Sequence, residues 1–341
     1  MKKTSAFLTI AFVSLFATIF SGGKSFANEP FDCLNHDVTV PANEVFKPVR
    51  ICEENNIQIN FEQGVSLVAP QVGTATIFKL YSQDGNENEY SAEVNLEHIL
   101  SVNQVHTSPE EDALDATFLS QTTLMTDDLL ASGPGDPGCS YGTYSVMGVR
   151  WNSNFYWYYD PRNQSSSRAI YRLRDAIALW QYPVNRCTGE SFSTNFKATY
   201  MGSTTAKTSL VGATSCSKSY DGFNLVSWKD LGPLTLGATC INVDSSLRYI
   251  TEADIALNSV FKDSFYDYQD PAGCPIMEYF LINTAAHEFG HALGLDHVYS
   301  WMHQVMSSSP YYCLSERIGL GPGDYNGLMQ IYGLDHSNVP V

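Results

Sequence analysis

The sequence predicts a mixed α+β chain in two unequal parts, a small β-rich N-terminal domain followed by a larger domain that combines strands with long helices. Three observations carry this. Runs between residues 30 and 105 alternate apolar and polar side chains at period two, the pattern of half-buried strands. Beyond residue 139 strand-like runs alternate with helical ones, and Ile170, Leu173, Ile177 and Trp180 recur at helical spacing. The stretch HEFGHALGLDH, residues 287–297, then sets two histidines four apart with a carboxylate between them.

Taken in order, residues 1–27 read as an export signal. Lys2 and Lys3 precede an apolar run from Ala6 to Phe20, and Ser25-Phe26-Ala27 offers a small-x-small cleavage site. The run is shorter than the roughly 20 residues that span a bilayer, so a membrane anchor is not expected. Eight cysteines suit an oxidising, extracellular compartment.

Residues 28–105 carry the strand-like runs VTVPANEVF, NIQINF, VSLVA, TATIFKLYS and EYSAEVNL. Residues 106–138 hold TSPEEDALD, TDD and SGPGDPG and read as an exposed acidic linker. No Lys or Arg occurs between Lys79 and Arg150. Residues 139–341 form the second domain. In it YSVMGVRWN has strand character, SSSRAIYRLRDAIALWQY is helical, and FKATYM, FNLVSW and TLGATCINV are strands, with ITEADIALN leading towards a helix expected from near Pro275 through Leu293.

On that helix His287 and His291 project from one face a single turn apart. Gly294 permits the positive φ that stops a helix sharply, so the chain can turn and bring His297 in as a third imidazole. Three neutral imidazoles leave the fourth tetrahedral position of a zinc ion open for water, as in catalytic sites. Glu288 sits beside the ligands and is placed to be the general base. The formal net charge of −17 argues against nucleic acid and anionic membranes as partners. It favours solubility instead, and the absence of Lys and Arg between Lys262 and Arg317 would let peptides with basic or neutral side chains approach the site.

These residues resemble the metzincin zinc endopeptidases, whose motif is H-E-x-x-H-x-x-G-x-x-H followed by a Met-turn. Within them the wording HEFGHALGLDH and the ending GDYNGLMQIYG, residues 323–333, look most like the matrixins, here in a bacterial-type secreted form. The resemblance implies a twisted sheet carrying two long helices, one catalytic zinc held by His287, His291 and His297, and Met306 of VMSSSP as the Met-turn. Asp324 would support that turn from behind. An edge strand, LGATCIN at residues 236–242, would pair with an extended peptide substrate. Asn283 would line the pocket beyond the scissile bond, with Tyr311 and Tyr312 as candidate walls.

Some positions depart from the matrixin pattern. Val298 stands where matrixins usually carry Ser, and Pro310 comes two residues late. Ser308 occupies the place of the metal-directed Tyr of astacins and serralysins, so no tyrosine ligand is expected. No run resembles the loop that holds a second, structural zinc. Calcium, which matrixins often bind, is left open at Asp221-Gly222, Asp244 and Asp267.

Matrixin proenzymes commonly close the zinc with a propeptide Cys in a Pro-Arg-Cys-Gly setting. Cys33 and Cys52 both lack it. With two cysteines before residue 139 and six from there on, each part can pair internally. Cys33 with Cys52 and Cys274 with Cys313 are the expected pairs. The gate is then a carboxylate, with Asp136 the candidate, or steric cover by the linker. A competing reading is a secreted zinc-containing binding or adhesion protein that has lost activity; the intact Glu288 argues against it.

Overall fold

Strand β14, Thr235–Val243, is the centre of the architecture, because both of its edges are taken and both of its faces are buried. The computed structural model describes residues 33–107 and 139–333, apart from 43–44, 53–56, 63, 83–86, 108–138, 140–141, 207–209, 211–214, 217–220, 268–272, 276–277, 299–303, 309–312 and 314–318. The export segment, most of the acidic linker with Asp136, and Pro310, Tyr311 and Tyr312 therefore lie outside the described residues. Described residues from Leu34 onward belong to one compact unit.

The N-terminal strands are β1 (Val38–Val40), β2 (Val49–Arg50), β3 (Gln58–Phe61), β4 (Ser66–Val68), β5 (Thr74–Ser82), β6 (Glu87–Val94) and β7 (Ile99–Thr107). After the linker come β8 (Ser145–Val146), β9 (Arg150–Trp151), β10 (Phe155–Tyr159) and helix α1 (Ala169–Gln181). Next are β11 (Ala198–Ser203), β12 (Ser215–Cys216), β13 (Asn224–Lys229), β14 and β15 (Tyr249–Asn258). A 3-10 turn over Ser259–Ser264 leads to β16 (Phe265–Tyr266), β17 (Tyr279–Phe280), α2 (Leu281–Ala292), β18 (Leu295–Asp296) and α3 (Pro322–Tyr332).

One sheet runs in the order β11-β10-β13-β15-β14-β5-β6-β7-β2, with β9 also on β15. β10 is parallel to β11 and β13, and β13 is parallel to β15. β14 turns antiparallel to β15, and β5 to β7 continue as an antiparallel meander. A second sheet, β1-β3-β4-β12, is built mostly from N-terminal strands but ends on β12.

The period-two alternation of β14 divides its side chains between two cores. Ile241 and Val243 face the core that holds α1 and α2, and Leu236 joins them across the register shift between Thr235 and Gly237. Ala238 and Cys240 face the other, with Phe61, Leu67, Phe78, Tyr90 and Leu100. Leu210, Cys216, Leu231 and Ala256 join this second core, so the two parts of the chain share it. Cys216 is bonded to Cys240, Cys139 to Cys187 and Cys274 to Cys313, and no described cysteine is free.

Two expectations need correction. The helix expected from near Pro275 begins at Leu281, because Tyr279 and Phe280 are extended and pair with Phe265 and Tyr266. The strand expected over YSVMGVRWN is split into β8 and β9 around Gly148, whose φ is +78°.

Candidate metal centre

Helix α2 forms because LINTAAHEFGHA combines alanines with apolar residues at helical spacing. Its buried face is fixed by aromatic neighbours. Phe289 meets Trp157 edge-on at 5.4 Å, Trp180 Nε1 donates to Ala286 O at 2.8 Å, and Trp151 Nε1 donates to Ala292 O at 2.7 Å. The helix stops at Gly294, whose φ is +94° and where an ideal Cβ would lie 2.1 Å from Val149 O. Only glycine fits both demands. The chain then enters β18, where Leu295 pairs with Val146 and Asp296 with Ser145, and this two-residue ladder sets His297.

His287, His291 and His297 are all buried, and their Nε2 atoms converge. The separations are 2.7 Å for His287–His297, 3.0 Å for His287–His291 and 2.9 Å for His291–His297. A tetrahedral zinc with bonds of 2.0–2.1 Å places nitrogens about 3.3 Å apart, so a shift of a few tenths of an ångström accommodates it. Tautomers follow from the opposite nitrogens. His287 Nδ1 lies 2.8 Å from Val305 O, and His291 Nδ1 lies 3.0 Å from Leu295 O. A carbonyl can only accept, so each Nδ1 carries the hydrogen and each Nε2 turns its lone pair inward. Burial, and then the neighbouring His297 and Lys79, hold His291 well below the usual imidazole range. Converging neutral lone pairs favour a cation between them. Among the described residues this triad is a group of side chains that could hold a metal ion.

Met306 is buried beneath the same helix. An ideal Cβ at Gly290 would lie 2.2 Å from Met306 Sδ, so the glycine between the two helical histidines makes room for the thioether. Asp324, at the start of α3, holds the turn from behind. Its Oδ2 accepts from Val305 N (2.8 Å) and Gly321 N (2.9 Å), and its Oδ1 accepts from Met306 N (3.0 Å). Val305 O in turn receives His287 Nδ1–H. One carboxylate thus orients a ring through the turn it supports.

Residues 224–333, from the start of β13 to the end of α3, match the family model described as matrixin. This part of the chain is similar to the matrixins, a group of metzincins. Matrixins are zinc metalloproteases. The matrixin match begins after β10, α1 and β11, yet those elements lie in the same sheet and core as the matched strands.

Other expected site residues lie around the matrixin motif in different ways. Glu288 is fully buried, and Thr239 Oγ1 of β14 donates to its Oε2 at 2.6 Å. Its Oε1 has no hydrogen-bond partner among the described residues. Burial pushes Glu288 up to about 8, against the Thr239 bond, which pulls it down. Asn283 lies one turn before His287 on α2. Ser308 is buried just past the turn, its N–H near Val298 O at 3.4 Å.

The acidic positions considered for calcium are scattered. Asp244 accepts from Ser246 Oγ and the Arg248 and Tyr249 amides; Asp267 accepts from Ser166 and Arg168; the Asp221 and Gly222 amides donate to Glu252. That last contact exposes residues the sequence reading missed. Glu252 and Asp254 are both buried on one face of β15. The signal was present in the T-E-A-D alternation within a strand whose neighbours are apolar.

The strand expected to receive substrate is not a free edge. β5 pairs along β14 from Ser82 opposite Thr235 to Ala75 opposite Val243.

Proposed function

We propose that the chain is an exported zinc endopeptidase that hydrolyses peptide bonds of extracellular proteins, with Glu288 as general base. The observation that supports it best is the convergence of three buried imidazole Nε2 atoms, with the Nδ1 hydrogens of His287 and His291 already committed to the Val305 and Leu295 carbonyls. Zinc bound there would supply a Lewis acid that polarises a peptide carbonyl and brings the pKa of water to near 7. His287, His291 and His297 hold it as neutral ligands and leave its charge undiminished.

Glu288 contributes the proton transfers. It follows His287 directly, so its carboxylate stays beside the ligand set without joining it. Thr239 fixes Oε2, and Oε1 is left to take a proton from water and pass it to the leaving amine. Export is supported by residues 1–27 and by the disulfides. No helix among the described residues is long and apolar enough to cross a membrane.

The test is Glu288→Gln, which keeps shape and loses the base. Zinc content should equal that of the wild type while cleavage of a denatured protein falls by about 10³-fold or more. Near wild-type cleavage by this variant would remove Glu288 from the role. A wild-type chain that cuts nothing, with or without a chelator, whether intact or after cleavage within residues 106–138, would favour a binding protein.

A further inference from the structure

We propose that β5 is a built-in pseudosubstrate: it fills the β14 edge and sets Lys79 on Asp296, and the substrates that replace it are extended peptides with a basic side chain at the Lys79 position. This rests on the protease reading above and names its substrate class.

The argument begins with register. Lys79 lies opposite Thr239 on β14, and Thr239 holds Glu288. The strand therefore passes the catalytic carboxylate at Lys79. Alternation puts Ala75, Ile77 and Lys79 on one face, and Ala75 and Ile77 pack on the core that holds α2. Lys79 is fully buried, and its Nζ is bonded to Glu89 of β6 and, at 2.6 Å, to Asp296 Oδ1. Asp296 precedes the third imidazole directly, and its Oδ1 also accepts from His297 N at 2.8 Å.

Burying a lysine is costly unless its charge is met. Here two carboxylates meet it, one from each part of the chain. When β5 and β6 leave, Lys79 and Glu89 leave together, and Asp296 remains as a partly buried carboxylate without its cation. The vacated edge offers main-chain pairing to any extended peptide, and Asp296 adds selection for Lys or Arg. No Lys or Arg occurs in the sequence between Lys262 and Arg317, the stretch that carries Asp296.

Binding to the zinc-loaded full chain carrying Glu288→Gln tests this without catalysis. The chain is compared intact and after nicking by a Glu-specific protease, for which the linker offers Glu110 and Glu111, with both fragments kept together. The probes are two fluorescent decapeptides that differ only in a central Lys or norleucine. The Lys peptide should bind the nicked chain about tenfold or more tighter than it binds the intact chain, and about tenfold tighter than the norleucine peptide binds. Asp296→Asn, checked for zinc content, should erase the second difference and keep the first. Equal binding of the two peptides, or equal binding to intact and nicked chains, would overturn the proposal. If neither peptide binds while the nicked wild type cleaves peptides, the protease reading stands and the pseudosubstrate falls. If the Lys peptide binds selectively and the nicked wild type cleaves nothing, strand replacement stands and the protease reading falls.

Discussion

Gly290 and Met306 are mutually exclusive with any larger side chain between them, since an ideal Cβ on the glycine would fall 2.2 Å from Met306 Sδ. The same Cβ would lie 3.0 Å from Trp180 Cζ2, so it is hemmed in by α1 as well as by the turn. Gly290→Ala should therefore displace Met306 instead of gaining helix propensity. We expect a loss of about 1 to 3 kcal/mol together with weaker zinc binding. Thermal melting with and without zinc checks both, and a variant as stable as the wild type would show that the turn can move freely.

Asp324 serves three backbone amides, at Val305, Met306 and Gly321. Asp324→Ala leaves all three buried without that acceptor, and the expected cost is about 2 to 5 kcal/mol. Asp324→Asn retains one carbonyl oxygen and should cost less. Denaturant unfolding ranks the pair, and the alanine variant should also bind zinc more weakly because His287 loses its orientation.

Removing the metal should destabilise the chain, because three buried Nε2 atoms then face one another without a cation between them. Chelation is expected to lower the melting temperature by about 10 °C. His291→Ala should show the lower melting temperature without chelator and bind no stoichiometric zinc. Metal analysis of the purified variant decides this: full occupancy would contradict a three-histidine ligand set.

Glu252 gives the chain a pH-dependent weakness away from the metal. Burial, and then the adjacent Asp254 charge, push it up to about 7, with the Gly222 and Asp221 amides pulling the other way. The native state thus holds a proton that the unfolded chain releases near its ordinary value of about 4.3. Stability from this group is fully present below that value, falls as pH rises towards 7, and is level above it. Glu252→Gln should therefore stabilise the chain by about 1 to 3 kcal/mol at pH 8, with the gain shrinking to near zero at pH 4.5. Melting curves across that range test the slope.

Legibility differed sharply between local and non-local features. TATIFKLYS and TLGATCINV coincide with β5 and β14 because strand-forming composition between turn residues is a local property. The histidine triad and Gly294 were legible because helical periodicity fixes which side chains share a face. Met306 and Asp324 came through the resemblance to matrixins. What alternation cannot say is which strand lies beside which, so the pairing of β5 with β14 was invisible. The start of α2 was misplaced because Tyr279 and Phe280 suit a helix as well as the short pairing with β16 that captures them. β7 carries Asn103 and Gln104 and was not recognised as a strand. Of the disulfides, Cys274 with Cys313 was expected from position, whereas Cys216 with Cys240 depends on β12 joining the N-terminal sheet.

The division of β14 between two cores also decides how the molecule comes apart. Ala238 and Cys240 belong to one core while Ile241 and Val243 belong to the other, all on a single strand. Neither core can dissolve without stripping one face of the strand that closes its neighbour. Calorimetry of the intact chain should accordingly show one cooperative transition, with calorimetric and van't Hoff enthalpies in agreement, and no earlier melting of residues 34–107.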